Sequence, residues 1–235
     1  MIFMKWDDKY FKFEWSQQII NYDEKMVVAK KLATMVKDGD IIGFGSGSTS
    51  FLAVKEIARI VSEENIRILA IPTSQEINMA CVSLGIPVAS INDYLPDWGF
   101  DGADEVSPDK WLIKGRGGAM FNEKLIMKNT PKTYIIVDDS KFVNKLCEKF
   151  PIPVECIPAA YKSVVTSLYS IGADTVNLRL AGKSKDGPVI TENGNYIIDA
   201  FFPSVNSSLE STIKNITGVL ESGLFIGYNV EIISI

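Results

Sequence analysis

Ionisable side chains and glycines are concentrated in one stretch near the middle of the chain, residues 101–124. It includes carboxylates and a lysine that suit proton transfer, namely Asp101, Asp104, Glu123 and Lys114. Close after the lysine come glycines that would let a ligand approach the backbone, Gly115, Gly117 and Gly118. Any one of these residues alone is typical of a solvated surface turn. Their density instead predicts a site of acid–base chemistry.

The chain contains no histidine, which narrows that chemistry. Ser-His-Asp and Cys-His nucleophile systems, His-ligated zinc and imidazole acids or bases are all excluded. Proton transfer is therefore left to carboxylate, Lys, Tyr or Cys side chains. The absence narrows the mechanism and does not prove a catalytic role.

A second glycine-rich segment follows a short apolar strand at residues 40–44 and leads into a helix. Glycines let backbone N–H groups curve around an anion, and hydroxyl side chains and the helix N-terminus add donors and positive potential. The segment consists of Gly45, Ser46, Gly47, Ser48 and Thr49. It lacks the P-loop lysine, and Ser48 stands where the dinucleotide fingerprint needs a third glycine. A small sugar phosphate is favoured over a nucleotide as the ligand. The alternative is a glycine-rich turn that binds no ligand.

One lysine outside these stretches is a further candidate for a ligand contact. Lys141 follows the buried-type strand 133–137, and ligands bind at the carboxyl ends of strands in open parallel sheets. Lys25 lies near the start of a predicted first helix, and on the sequence alone it is interpreted as a surface lysine.

The elements that must position these residues alternate between helix and strand over the first two thirds of the chain. This pattern predicts an α/β fold, a doubly wound, Rossmann-like and mostly parallel sheet. Prolines at 151 and 153 mark a boundary, after which the pattern becomes that of a smaller α+β domain. We predict an N-terminal extension at 1–22, a catalytic domain at 23–148 plus 216–235, and a small domain at 149–215.

Composition and charge limit the possible partners. A net charge of -5 and the absence of a basic stripe argue against nucleic acid, and no apolar run is long enough to span a bilayer. The N-terminus lacks the apolar core of a signal peptide, which predicts a cytoplasmic protein. Three cysteines without metal spacing are predicted to be reduced. The aromatic-rich extension is expected to pack on the body or on a neighbouring subunit.

The motifs, taken in order, resemble those of the A-type ribose-5-phosphate isomerases. That family carries Asp-Gly-Ala-Asp-Glu, then Lys-Gly-Gly-Gly-Gly-Ala and Arg-Glu-Lys, which read here DGADE, KGRGGA and NEK. Further matches are GFGSGSTS, VDDSK, FPIPVE, TENGN and TGVLESGLF, so that the resemblance extends from about Asp23 to the C-terminus. The departures are Arg116 for a glycine, Asn122 for the usual Arg and Glu192 for the usual Asp.

The resemblance implies interconversion of D-ribose 5-phosphate and D-ribulose 5-phosphate through an enediolate, without metal or organic cofactor, in a homodimer or homotetramer. Glu123 matches the general base and Lys114 the residue that binds the enediolate oxygens. Asp101 and Asp104 would handle hydroxyl protons and ring opening. Substrate contacts are implied for residues at matching positions, namely Lys25, Ser46, Gly47, Ser48, Thr49, Gly115, Gly117, Gly118 and Lys141. We expect Arg116 to point away from the pocket.

Other functions remain possible on sequence grounds. A non-catalytic sugar-phosphate sensor would be favoured by loss of Glu123 or Lys114, and both are present. A carboxylate-nucleophile acyl or CoA transferase would need room for a long CoA, and no feature of the sequence indicates such a site. Glucosamine-6-phosphate deaminase-like chemistry relies on a histidine that is absent here. B-type pentose isomerases differ in motif and typically use a cysteine.

Overall fold

The computed structural model describes residues 12–182 and 185–235. The helices, in chain order, are α1 (Tyr22–Ala33), α2 (Ser48–Glu63), α3 (Gln75–Ser83), α4 (Met120–Lys128), α5 (Tyr161–Ser170) and α6 (Leu209–Lys214). The strands are β1 (Ile41–Phe44), β2 (Leu69–Pro72), β3 (Trp98–Asp101), β4 (Glu105–Val106), β5 (Leu112–Ile113), β6 (Thr133–Ile136), β7 (Ile152–Cys156), β8 (Thr175–Leu178), β9 (Tyr196–Phe201), β10 (Val219–Ser222), β11 (Leu224–Phe225) and β12 (Val230–Ile233).

Five strands form a parallel sheet in the order β12-β6-β3-β1-β2. From β1 the chain passes through α2 to β2 on one side, and then through α3 to β3 on the other side of β1. This reversal makes the carboxyl ends of β1 and β3 a topological switch point, where open α/β sheets bind ligands. The final strand, β12, forms the edge of this sheet beside β6.

Helices cover both faces of the parallel sheet, which confirms the doubly wound fold. On one face Ile42 and Phe44 of β1 are buried in a core shared with α1, α2 and α3. On the other face Gly43 meets α4, where an added Cβ would lie 2.7 Å from Ile126. Glycine at this position therefore allows α4 to approach the sheet closely.

Two antiparallel sheets complete the fold. A four-stranded sheet in the order β10-β7-β9-β8 shares a second core with α5 and α6. A three-stranded sheet, β11-β5-β4, lies next to the residues that follow β3. β10 falls within the range assigned from sequence to the catalytic domain, yet it pairs with β7. The division into domains remains a prediction.

The N-terminal segment is described from residue 12 onward, so residues 1–11 of the predicted extension lie outside the described residues. Phe13 and Trp15 pack against Phe51 of α2. Their ring centroids lie 6.0 Å and 5.3 Å, respectively, from the ring centroid of Phe51. This part of the extension therefore packs on the body of its own chain. No helix in the described ranges is long and apolar enough to cross a bilayer.

Two local sequence signals differ from the structure. Asp23 is of a residue type that favours the N-cap position, but the first helix begins at Tyr22, after Asn21 in the left-handed conformation. The apolar segment 87–90 has the composition of a strand, but it contributes only one isolated bridge, between Val88 and Ala70.

Candidate active site

The candidate site lies where β1 and β3 end. Gly45, which directly follows β1, is so close to β3 that an added Cβ would lie 2.4 Å from the Asp101 Cα. The Gly45 N–H donates to the Phe100 carbonyl at 2.8 Å. This contact joins the glycine-rich turn to the first catalytic candidate, and it is possible only without a side chain at position 45.

The Lys114 ammonium lies between two carboxylates. Its Nζ is 2.9 Å from Asp101 Oδ1 and 3.3 Å from Glu123 Oε1, and it donates to the Gly102 carbonyl at 2.6 Å. Asp101, Lys114 and Glu123 are 2–4% exposed. The structure thus brings together, from β3, the residue after β5 and α4, three groups that are up to 22 positions apart in the sequence.

Donors from the glycine-rich turn orient both carboxylates. Asp101 Oδ1 accepts from the backbone N–H groups of Ser46 and Gly102, at 3.1 and 2.7 Å. The Ser46 hydroxyl donates to Glu123 Oε1 at 2.5 Å. Within the described part of the chain, the buried Glu123 Oε2 has no hydrogen-bond partner. One oxygen of Glu123 is thereby held in place and the other is available to take a proton.

The proximity of two buried carboxylates changes their electrostatics. Burial raises the pKa of Asp101, and the Glu123 charge raises it further, while Lys114 has a smaller lowering effect. Burial by itself would lower the pKa of Lys114, but the Asp101 and Glu123 carboxylates outweigh burial and raise it. Lys114 therefore remains a cation at neutral pH, suited to stabilise a developing oxyanion.

Asp104 lies on the other side of the loop that follows β5. Its Oδ2 accepts from the Arg116 backbone N–H at 3.2 Å. Burial raises the pKa of Asp104, and the charges of Lys141 and Lys114 lower it. The Arg116 side chain is exposed, and its backbone φ is not in the left-handed region. Arginine is therefore compatible with the backbone at this position.

The segment 114–119, here called the glycine loop, connects β5 to α4. Gly115 and Gly118 have φ of 91° and 83°, which side chains rarely adopt, and the Gly118 N–H donates to the Gly115 carbonyl at 3.0 Å. An added Cβ at Gly118 would lie 2.9 Å from Ile197 of the four-stranded sheet. Gly117 is exposed and meets nothing closer than Glu76, at 3.9 Å. Of the three glycines in this loop, Gly117 has the most space beside its backbone.

The start of α2 forms a separate, more open end of the site. Gly47 is its N-cap at φ 92°, and Ser48 is its first residue. The Lys25 ammonium from α1 donates to the Ser48 hydroxyl at 3.2 Å and lies 3.9 Å from Asp138 Oδ2. A helix N-terminus next to a lysine is suited to bind a phosphate.

Further cations surround Lys25. Burial lowers its pKa, and the charges of Lys141 and Arg116 lower it further, against the opposite effect of Asp138. Lys141 ends a 3-10 turn after β6, with its ammonium over the Phe150 ring at 5.1 Å. The sequence alone left Lys25 open as a surface residue, but it is only 7% exposed. The remaining candidate, Thr49, is also 7% exposed, in the first turn of α2.

Several residues that shape this site are not predicted from the sequence. Gly45 has the pattern of a phosphate turn, but it also sets the approach of β1 to β3. Asp138 is 1% exposed, and its position at a strand end is the sequence signal that could indicate it. Glu192 differs from the usual Asp of the family motif, and its Oε1 accepts from the Gln75 N–H at the start of α3, at 2.6 Å. No local signal could have linked residues 117 positions apart.

The described ranges, 12–182 and 185–235, contain no group of three or more His, Cys, Asp or Glu side chains that could hold a metal ion. The cysteines at 81, 147 and 156 are free thiols.

The chain is similar in sequence and in fold to ribose-5-phosphate isomerases. The family model of ribose 5-phosphate isomerase A (phosphoriboisomerase A) matches residues 69–234. The ribose-5-phosphate isomerase A of Methanocaldococcus jannaschii is 46% identical over 87% of this chain and 91% of its own length. A solved structure of that archaeon's enzyme superposes with a TM-score of 0.87 at 44% identity, covering 92% of this chain and 96% of the other.

A second solved structure, a D-ribose-5-phosphate isomerase in complex with phospho-erythronic acid, is 37% identical to this chain. It superposes with a TM-score of 0.86 and covers 91% of this chain and 95% of its own. Identity at this level over most of both chains shows common ancestry as well as a common fold. The chain belongs to the ribose-5-phosphate isomerase A family.

Proposed function

We propose that this chain interconverts D-ribose 5-phosphate and D-ribulose 5-phosphate by proton transfer between C1 and C2. The observation that carries the proposal is the Lys114 ammonium held between Asp101 and Glu123 at the switch point of the sheet. A base beside a buried cation is the pair that enolisation of a sugar requires. The family membership, reported above, fixes the substrate class.

In the direction of ribulose 5-phosphate, Glu123 removes the proton from C2 of the open-chain aldose. The electron pair forms the C1–C2 double bond, and negative charge moves to the aldehyde oxygen, where Lys114 stabilises it. Glu123 then returns a proton to C1, and the proton on the C2 hydroxyl is transferred to the oxygen on C1. The net result is the ketose, with no change in atoms or charge.

Asp101 and Asp104 are assigned to the hydroxyl protons. Burial raises the pKa of both carboxyls, so each can hold and release a proton nearer to neutral pH than an exposed aspartate can. We assign ring opening, which moves the anomeric hydroxyl proton to the ring oxygen, to this pair of aspartates.

We assign the phosphate to the open end of the site. The turn at Ser46, Gly47, Ser48 and Thr49 begins α2 next to Lys25, and Lys141 adds a second cation. Because the Ser46 hydroxyl is already bonded to Glu123, we assign Ser46 to orientation of the base and its neighbours to phosphate binding. Gly115, Gly117 and Gly118 would let the sugar approach the backbone, with Gly117 the most open of the three.

Replacement of the base tests the proposal most directly. Glu123→Gln preserves the shape of the side chain but removes the proton acceptor, so turnover of ribose 5-phosphate should fall about a hundredfold to ten-thousandfold. A coupled assay gives kcat, and calorimetry with phospho-erythronic acid, which a relative binds, should give a Kd close to that of the wild type. More than half the wild-type rate in this variant would remove Glu123 from the role.

Lys114→Ala tests the partner of the base. If the ammonium acts mainly on the enediolate, kcat and kcat/KM should fall together, because the contact is made chiefly in the transition state. A rise in KM alone would identify Lys114 as a binding residue. Wild-type protein without any turnover of ribose 5-phosphate would refute the proposed function itself.

The reaction needs neither metal nor organic cofactor in this proposal, since carboxylates and an ammonium fill every role. Exhaustive treatment with EDTA should leave kcat unchanged. Loss of activity that a divalent ion restores would contradict this. The cytoplasmic location likewise remains a prediction, to be checked by cell fractionation.

A further inference from the structure

Arg179 reaches the glycine loop from the four-stranded antiparallel sheet. Its Nη1 donates to the carbonyls of Gly115 and Arg116, at 3.2 and 2.7 Å. The other edge of the guanidinium forms a bidentate ion pair with Asp199, in which Nε donates to Oδ2 at 2.8 Å and Nη2 donates to Oδ1. A single guanidinium therefore joins a carboxylate of β9 to two peptide units beside Lys114.

The backbone of Arg179 is fixed on both sides. Its N–H donates to the Ile197 carbonyl at 2.8 Å, and its carbonyl accepts from Val189 at 2.9 Å. The Arg179 and Asp199 side chains are only 17% and 22% exposed. The pair is thus a rigid, partly buried support, unlike an exposed ion pair that contributes little.

The peptide units that Arg179 holds are close to three of the proposed catalytic groups. Lys114 directly precedes Gly115, and α4, which carries Glu123, begins two residues after Gly118. On its opposite side the Arg116 peptide donates its N–H to Asp104. The position of this loop therefore affects the Lys114, Asp104 and Glu123 side chains together.

We propose that Arg179, oriented by Asp199, is a positioning residue for the isomerisation. It holds the glycine loop in the geometry that places Lys114 and Asp104 against the substrate. This inference rests on the proposed function. It assigns to the antiparallel sheet a role in catalysis although none of the catalytic candidates lies on that sheet.

The chemistry of the contact requires arginine. Two carboxylate oxygens and two carbonyls lie around one planar fork of donors, which matches a guanidinium. An ammonium is a point donor and cannot bridge both sides. Misplacement of a catalytic group by about 1 Å can reduce the rate about a hundredfold, so a looser loop should mainly lower kcat.

The test compares Arg179→Lys, Asp199→Asn and the double variant with wild type and with Arg59→Lys. Arg59 is a matched control, because it pairs with Glu56 and Glu63 on the exposed face of α2 and does not contact the loop. We expect kcat on ribose 5-phosphate to fall about tenfold or more in Arg179→Lys, with KM changed less than about threefold. Arg59→Lys should match the wild type.

Two further readouts separate positioning from general stability. The Gly118 amide, which donates within the loop, should exchange its hydrogen faster in Arg179→Lys and in Asp199→Asn, while amides of α2 should not. The double variant should have about the same kcat as Arg179→Lys, because the two side chains act as one unit.

A folded Arg179→Lys protein with kcat within about twofold of wild type, or with only a raised KM, would overturn the inference. If Arg179→Lys does not fold, Asp199→Asn decides: a lowered kcat with faster Gly118 exchange supports the inference, and an unchanged kcat refutes it. The comparison requires a wild-type enzyme that turns over ribose 5-phosphate. Failure of the proposed function would therefore be seen in the wild type, and failure of this inference in the variants.

Discussion

Three of the four proposed catalytic residues form a buried group of two carboxylates and one ammonium. Asp101 and Glu123 share the Lys114 cation, and all three are nearly inaccessible to water. When all three are ionised, one negative charge is left without a counter-charge in a low-dielectric environment, which is costly. Proton uptake by this group relieves that cost, and an isomerase makes use of such uptake.

The first prediction concerns pH and stability. Burial and the Glu123 charge raise the pKa of Asp101 to about 7 in the folded protein, well above the usual value. Between pH 4 and 7 the folded state therefore binds a proton that the unfolded state does not, and the free energy of unfolding falls as pH rises through this window. Urea denaturation at fixed protein concentration should show this fall in wild type and much less of it in Asp101→Asn.

The expected difference in pH dependence between the two proteins is roughly 1–3 kcal/mol across the window. Asp109→Asn, which changes an exposed carboxylate, is the control and should follow the wild type. A stability difference between wild type and Asp101→Asn that does not vary between pH 4 and 7 would contradict the proposed protonation.

The second prediction concerns Arg116, the departure within the most diagnostic motif. Among the described residues its hydrogen bonds are made by the backbone, whose N–H donates to Asp104 and whose carbonyl accepts from Arg179. Glycine preserves both groups, so Arg116→Gly should change kcat/KM on ribose 5-phosphate by less than about threefold, or ~0.7 kcal/mol. A large gain or loss would show that the guanidinium acts on the substrate.

At the scale of elements, close packing around glycines sets the site. Gly43 admits α4 to one face of the sheet, Gly45 admits β3 beside the turn, and Gly223 lies against the Lys114 carbonyl, 2.0 Å from an added Cβ. Two of these contacts are with backbone atoms, which cannot move aside as a flexible side chain can. These glycines therefore allow the strand ends and α4 to come close together.

The third prediction follows from this packing. Gly45→Ala would place a methyl group 2.4 Å from the Asp101 Cα, so β1 and β3 would have to separate. We expect a loss of about 2–4 kcal/mol in the free energy of unfolding, as for other overpacked sites, together with loss of activity. Urea denaturation and the coupled assay measure the two effects.

Gly102→Ala is the matched control for stability, because an added Cβ there meets only the Ser46 carbonyl, at 3.7 Å, and φ is not in the left-handed region. It should change the unfolding free energy by less than about 1 kcal/mol. Equal losses in both variants would mean that packing against β3 is not the cause.

At the scale of the whole molecule, the site depends on both kinds of sheet. The parallel sheet supplies Asp101, while β9 of the antiparallel four-stranded sheet supplies Asp199 and the residue that follows β8 is Arg179. Glu192, from the turn before β9, also reaches the start of α3. Residues that follow the boundary predicted at Pro151 and Pro153 thus support the site from outside the parallel sheet.

The fourth prediction is the oligomeric state. The family resemblance predicts a homodimer or homotetramer, whereas part of the aromatic surplus near the N-terminus is used within the chain, where Phe13 and Trp15 cover Phe51. Light scattering should give a mass of two or four chains. A monomeric mass at high protein concentration would contradict the prediction.

The amino-acid sequence was sufficient to predict the fold class, and the resemblance of its motifs to a known family was sufficient to predict the reaction. The spacing of apolar residues indicates which segments are helices and which are buried strands. Because the two kinds of segment alternate, the doubly wound sheet could be predicted. The absence of histidine limited the acid–base chemistry, and the motif at 101–124 identified Glu123 and Lys114 as candidates. These signals are local, or depend on residue type alone, and they can therefore be recognised without a structure.

Only the tertiary structure decided which groups touch. Ser74 lies at the N-cap of α3, where serine is favoured, but it makes no side-chain capping bond, and Glu192 accepts from the first N–H of the helix instead. Lys25 reads as a surface lysine and is buried against Ser48. Arg179 contacts residues more than 60 positions away. Such contacts depend on how separate elements pack, and no periodicity or propensity along the chain records that packing.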